Sequence, residues 1–142
     1  AAYNPCIAAI TCPFTGEKLA AVRAVNPDVT IIHAQQADKR GNIQLWGVTG
    51  IQKEAVLAAD RVIVTVEEVR ESLEPLPGGM LLPASLITAV AHVPDGARPS
   101  YAHGYYRRDN KFYREWDSIA RDRARFTEWM DRCLNMSGLL KK

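Results

Sequence analysis

Two apolar, β-branched runs dominate the hydrophobic pattern of the chain. One is Val29–Ala34, interrupted only by Thr30 and His33; the other is Arg61–Val66, reading RVIVTV. Runs of this kind predict strands covered on both faces, as in parallel or mixed sheets packed between helices. Between them Ile51, Ala55 and Ala58, with Val56 and Ala59 alongside, recur at helical spacing and predict a helix over Ile51–Ala59. Strand, helix, strand in that order is an α/β unit. Open α/β sheets place ligands at the carboxyl ends of their strands. The second run leads into Glu67 and Glu68, so two carboxylates stand where chemistry is expected.

Shorter patterns fill in the rest. Ile7–Thr11 and Lys18–Val25 read as strands around the turn residues Phe14-Thr15-Gly16-Glu17. Asp38-Lys39-Arg40-Gly41-Asn42 is a turn, followed by a short strand over Ile43–Trp46. Pro75, Pro77, Gly78, Gly79 and Pro83 make Glu71–Pro83 a loop. Leu86–Val93 is a further strand, closed by Asp95-Gly96-Ala97-Arg98-Pro99, and Tyr101–Tyr106 is aromatic and irregular. From Asp109 onward the period becomes helical. Phe112, Trp116, Ile119, Phe126, Trp129, Met130, Cys133 and Leu134 form one apolar stripe, which reads as core or subunit interface. The tail Met136–Lys142 is expected to fray. The resulting expectation is an α/β fold with a mixed, largely parallel sheet flanked by helices: a sheet core over 1–106 and a helical C-terminal arm over 107–136.

Composition adds bounds rather than direction. A length of 142 residues, 47% hydrophobic and 24% charged, suits one globular domain. A net charge of +2 gives no argument for nucleic acid or membrane as a partner. The charge is uneven, with ten Lys/Arg against six Asp/Glu in residues 101–142. That basic arm suits either an anionic ligand or a solvated helix face. Three cysteines, Cys6, Cys12 and Cys133, show no metal-ligand spacing and read as reduced cytoplasmic thiols. No stretch approaches the roughly 20 apolar residues of a membrane helix. Ala1–Pro5 reads like the interior of a connecting loop, so the expectation is a piece of a longer polypeptide.

The candidate chemistry has alternatives at each position. Gly41 and Asn42 either satisfy a turn that needs positive φ, or bring backbone and amide close to a ligand. Glu67 and Glu68 lie next to each other on a strand, so alternation would send them to opposite faces, with at most one entering a given cleft. Each is either a structural carboxylate or a base or nucleophile. His33 and His92 sit within apolar strands and read first as hydrogen-bonded core residues. His103, in the Tyr101–Tyr106 segment, is the histidine best placed for a ligand. No metal site is expected, since no His/Cys/Asp set has ligand spacing. Phosphate-binding glycine loops and the Gly-x-Ser-x-Gly elbow are also missing from the sequence.

Read together, CPFTGEKLAAV (Cys12–Val22), NPDVTIIHAQQADKRGNIQLWG (Asn26–Gly47), ADRVIVTVEEV (Ala59–Val69), ITAVAHVPDGARPSY (Ile87–Tyr101) and GYYRRDN (Gly104–Asn110) resemble the α subunit of family I coenzyme A transferases. The glutaconate CoA-transferase α-subunit group is the nearest likeness, over its C-terminal half. The resemblance implies a CoA-transferase fold related to sugar-phosphate isomerases, a partner β subunit and an α2β2 assembly. Coenzyme A is implied as co-substrate, with no permanently bound cofactor, and an acyl-CoA and a carboxylic or dicarboxylic acid as substrates. It further implies a glutamyl-CoA intermediate formed on a glutamate of the β subunit, not on Glu67 or Glu68. In this chain Gly41, Asn42, Glu67, Glu68 and His103 are then candidates for the cleft wall. The alternatives are a CoA-thioester ring-opening hydrolase of the same fold and a non-catalytic scaffold subunit.

Overall fold

The computed structural model describes residues 4–136. Its first unit is an antiparallel hairpin of β1 (Ile7–Thr11) and β2 (Lys18–Val22), with Ile7 opposite Val22 and Thr11 opposite Lys18. Gly16, at φ 75°, lets the connection turn, and its N–H donates to the Cys12 carbonyl at 2.9 Å. β2 stops at Val22, three residues before the predicted end, where the Arg23 N–H donates to the Cys6 carbonyl.

The second unit is a five-stranded mixed sheet. Its strands are β3 (Val29–Asp38), β4 (Ile43–Leu45), β5 (Arg61–Arg70), β6 (Met80–Leu82) and β7 (Ala89–His92), in the order β6-β4-β3-β5-β7. The pairs β3–β5 and β5–β7 are parallel, whereas β3–β4 and β4–β6 are antiparallel. The two long apolar runs are therefore central neighbours, as their composition predicts. α1 (Gln52–Ala58) lies against β3, where the Thr30 hydroxyl donates to the Ala55 carbonyl at 3.0 Å. Ile32, Ala34, Val62, Val64 and Val66 join Val56, Ile43, Leu45 and Leu82 in the core.

Three further elements, all in this sheet, differ from their sequence-based expectation. β3 continues four residues past Ala34, because Gln35, Gln36 and Asp38 are buried but hydrogen-bonded. The expected loop over 71–83 contains β6, a three-residue strand too short to announce itself among prolines and glycines. The expected strand over Leu86–Val93 is split: a 3-10 turn at Ala84–Leu86, then β7.

The helical arm is two helices, α2 (Asn110–Ala120) and α3 (Arg123–Met136). The Asp109 carboxylate caps α2 by accepting from Lys111 N–H and Phe112 N–H, both at 2.9 Å. Asp122 does the same for α3 through Ala124 N–H and Arg125 N–H. The single apolar stripe thus folds back on itself, bringing the Trp116 and Trp129 rings to 4.8 Å. Except for Met136, the expected frayed tail lies outside the described residues.

Candidate functional site

Parallel pairing sets Ile31 beside Ile63 and His33 beside Thr65, which aligns the carboxyl ends of β3 and β5. There Glu67, only 7% exposed, is bound on three sides. His33 Nε2 lies 2.6 Å from Oε1, the Tyr106 hydroxyl donates to Oε1 at 2.5 Å, and the Asp95 N–H donates to Oε2 at 2.7 Å. An ionised carboxylate only accepts, so His33 carries a proton on Nε2. Its Nδ1 lies 2.8 Å from the Thr65 hydroxyl, which donates to the Ile32 carbonyl at 3.4 Å. Burial raises the Glu67 pKa, but the donors Tyr106, Asp95 and His33 outweigh it and hold the group below the usual carboxylate range. The same pairing acts in reverse on Tyr106: burial first, then the Glu67 hydrogen bond, push its phenol up to about 12.

Gly96 allows this closure. A Cβ there would come within 2.8 Å of both His33 Cε1 and the Val93 carbonyl oxygen, so the loop lies on the histidine only if that residue is glycine. Tyr106 in turn accepts from the Ala97 N–H at 2.9 Å, and the Arg98 guanidinium stands 4.5 Å over its ring. Glu67 therefore staples the segment from Asp95 to Tyr106 onto the sheet.

Glu68 forms a second cluster. Arg70 Nε and Nη2 reach its two oxygens at 3.0 and 3.1 Å, the Tyr105 hydroxyl donates at 2.9 Å, and the Gln36 amide donates at 3.1 Å. These bonds, led by Arg70 and then Tyr105, hold its pKa below the ordinary value. Strict strand alternation predicts that adjacent glutamates diverge. Instead they are bound by consecutive tyrosines of one loop. The β3–β5 register passes from Ala34↔Val66 to Gln36↔Glu68 without pairing Gln35 and Glu67, and that interruption relaxes the alternation.

Gly41 and Asn42 lie apart from this pair, in the β3–β4 turn. Gly41 has φ 88°. Asn42 Nδ2 donates to Asp38 Oδ2 at 2.7 Å, and its Oδ1 accepts from the Ala84 N–H at 3.0 Å. Both ends of the amide are thus engaged within the chain. His103 lies between two clefts. The first, about 350 Å³, runs along β3 past Ile31, His33, Gln35 and Trp46. The second, about 470 Å³, is walled by Tyr101, His103, Tyr105, Tyr106, Arg107 and Arg108. Among the described residues no carboxylate forms an ion pair with either arginine; Arg108 stacks 3.9 Å over the Tyr113 ring. A groove with two uncompensated guanidinium groups favours an anion.

Residues 8–92 match the family model described as Coenzyme A transferase. The chain belongs to the coenzyme A transferase family. It is 61% identical over 128 residues to the A-type subunit of the 3-oxoadipate CoA-transferase of Pseudomonas knackmussii, covering 90% of this chain and 45% of that protein. It is 36% identical over 121 residues to the A-type subunit of the glutaconate CoA-transferase of Acidaminococcus fermentans, covering 81% of this chain and 38% of that one. The solved glutaconate coenzyme A-transferase from Acidaminococcus fermentans superposes with a TM-score of 0.81 at 34% identity, over 89% of this chain and 41% of the other. The chain thus spans less than half the length of these relatives.

For a coenzyme A transferase segment the two glutamates are instructive. Glu67 spends both oxygens on the protein, which makes it a poor nucleophile and a good anchor. Both glutamates and His103 stand out in the sequence, whereas Tyr105, Tyr106, Arg107 and Thr65 do not. An aromatic, glycine-containing segment with paired arginines is the available signal. Its pairing with the glutamates, 37 and 39 residues apart, is not. Among the described residues no helix is long and apolar enough to cross a membrane.

Proposed function

We propose that the chain is the C-terminal part of the α subunit of a CoA-transferase that moves coenzyme A from an acyl-CoA to a dicarboxylic acid of the 3-oxoadipate type. The observation that carries this reading is the 61% identity over 128 residues to a 3-oxoadipate CoA-transferase subunit. A β subunit supplies the nucleophilic glutamate, in an α2β2 assembly in the cytoplasm. That glutamate attacks the thioester carbonyl and CoA thiolate leaves, giving an enzyme-bound anhydride. Thiolate then attacks the glutamyl carbonyl, releasing the first acid and forming glutamyl-CoA; the second carboxylate attacks that thioester, and the expelled thiolate attacks the acyl carbonyl of the new anhydride, giving the product acyl-CoA and the free glutamate.

In this scheme the residues of this chain bind and position. Arg107, His103 and Arg108 receive a substrate carboxylate in the larger groove. Glu68 fixes Tyr105 on the wall of that groove, and Glu67 holds the loop that bears it. Gly41 and Asn42 shape the hairpin that carries Trp46 to the neighbouring cleft.

The test is CoA exchange by the complete α subunit carrying this sequence, mixed with its β partner, an acyl-CoA and either 3-oxoadipate, glutaconate or acetate. Transfer that requires both polypeptides and prefers 3-oxoadipate supports the reading. Acid release without an acceptor points to a hydrolase. Turnover by this chain alone refutes the placement of the nucleophile on the partner.

A further inference from the structure

Of the two arginines in the larger groove, only one is held in place. The Arg108 guanidinium stands 3.9 Å over the Tyr113 ring, and the same side chain lines the groove. Arg107 lines it too, but among the described residues the guanidinium groups that stand over rings are those of Arg98 and Arg108. A guanidinium resting on a ring keeps the N–H groups at its rim free for a ligand. A carboxylate partner would occupy them instead. Arg108 is thus oriented by a contact that uses none of its donors.

The backbone around this pair is anchored on both sides. Tyr106, two residues before Arg108, is bound through its hydroxyl to Glu67. Asp109, the next residue, donates its N–H to the Pro99 carbonyl at 3.0 Å. The Asp109 carboxylate caps α2, and its carbonyl accepts from the Tyr113 N–H at 3.3 Å. This capped first turn sets the Tyr113 ring against Arg108. The ring also meets Phe112 edge-on at 5.8 Å, and Phe112 stacks on Trp116 at 5.5 Å. α2 therefore supplies an aromatic base to a groove that its own residues do not line.

We propose that Tyr113 is a positioning residue for the acid substrate: it holds the Arg108 guanidinium toward the larger groove, where Arg108 binds the carboxylate of a dicarboxylic acid that does not take up CoA. The proposal rests on the reading of that groove as the acid site and names what makes it select dicarboxylic acids. The far carboxylate is the one group that separates these from monocarboxylic acids of the same length. A free arginine loses rotamer freedom when it binds such a group, whereas a stacked arginine has already lost it.

The test is calorimetric titration of the complete α subunit carrying this sequence, assembled with its β partner. The ligands are 3-oxoadipate and 3-oxohexanoate, which bears a methyl in place of the far carboxylate. No acyl-CoA is present, so binding is read without turnover. Arg108→Ala should weaken 3-oxoadipate binding about tenfold. Tyr113→Leu should weaken it about three- to fivefold, the size of an exposed cation–π contact, while Tyr113→Phe keeps the ring and stays within about twofold of wild type. Tyr113→Met is a second variant with the same expectation as leucine. Because Tyr113 acts through Arg108, the double variant Tyr113→Leu/Arg108→Ala should bind no more weakly than Arg108→Ala alone. The wild type should bind 3-oxohexanoate more weakly than 3-oxoadipate, and no variant should weaken it further by more than about twofold. Absent binding of 3-oxoadipate, wild-type binding by Tyr113→Leu, losses that add in the double variant, or an equal loss for 3-oxohexanoate overturns the proposal. Failed CoA transfer by a complex that still binds 3-oxoadipate through Tyr113 and Arg108 sinks the transfer reading alone. Normal transfer with binding indifferent to Tyr113 sinks this one alone.

Discussion

Replacing Glu67 by glutamine is the most decisive perturbation of the site. In the native protein three donors converge on this carboxylate: His33 Nε2–H, the Tyr106 hydroxyl and the Asp95 N–H. If the new amide oxygen faces Asp95, its NH2 faces His33 and Tyr106. His33 can respond by presenting an unprotonated Nε2 to the amide, but the Tyr106 hydroxyl proton then has no acceptor. One hydrogen bond to a charged group is lost outright, worth about 1.5–3 kcal/mol. Glu67→Ala leaves all three donors without an acceptor and should cost about 4 kcal/mol or more. Urea unfolding followed by circular dichroism at pH 7 reads both values. The pH dependence supplies an independent check. The folded pKa of Glu67 lies below its ordinary value, so its stabilisation is complete above the unfolded pKa of about 4.3 and is lost as pH falls through the folded value. Protonated Glu67 resembles glutamine, so the gap between wild type and Glu67→Gln should narrow as pH falls below the unfolded pKa and close once it is below the folded one. Equal midpoints at pH 7, or a gap that persists in acid, would refute the anchoring role.

Other outcomes follow from the same geometry. In a spectrophotometric titration one tyrosine should ionise near pH 12, and Tyr106→Phe should abolish that component. Arg107→Ala in the assembled enzyme should raise KM for 3-oxoadipate about tenfold with little change in kcat, as expected for lost uniform binding; an unchanged KM removes Arg107 from the substrate groove. Asn42→Ala severs the bonds to Asp38 Oδ2 and the Ala84 N–H and should lower stability by about 1–3 kcal/mol in thermal or urea melts. Trp116→Ala removes the ring that meets Phe112, Phe126 and Trp129, and should cost about 3 kcal/mol, with loss of helical signal before the sheet unfolds.

The staple answers a requirement of the sheet. Parallel strands need cover on both faces. In this chain the segment from Asp95 to Tyr106 covers the carboxyl ends of β3 and β5, where Glu67, His33 and Gly96 hold it down. Toward the amino end of β3, α1 covers the face that bears Thr30, while on the other face Ile31 remains 69% exposed.

Local chemistry settled much of this fold. β-branched runs at Val29 and Val62, glycine and asparagine at the β3–β4 turn, and helical spacing in the C-terminal arm act over a few residues, where propensity and periodicity are strong signals. The break between α2 and α3 was not read from the single apolar stripe, although Asp122, a capping residue in its middle, was the available signal. Other features depend on partners distant in the chain. That Glu67 and Glu68 share consecutive tyrosines, that β6 forms at all, and that Arg107 faces a groove without a carboxylate follow from which strands are neighbours. Sequence order determines the elements because their stabilising contacts are short-range. Only the assembled sheet decides which carboxylate is buried and which donors surround it, because those energies arise between residues far apart in the chain.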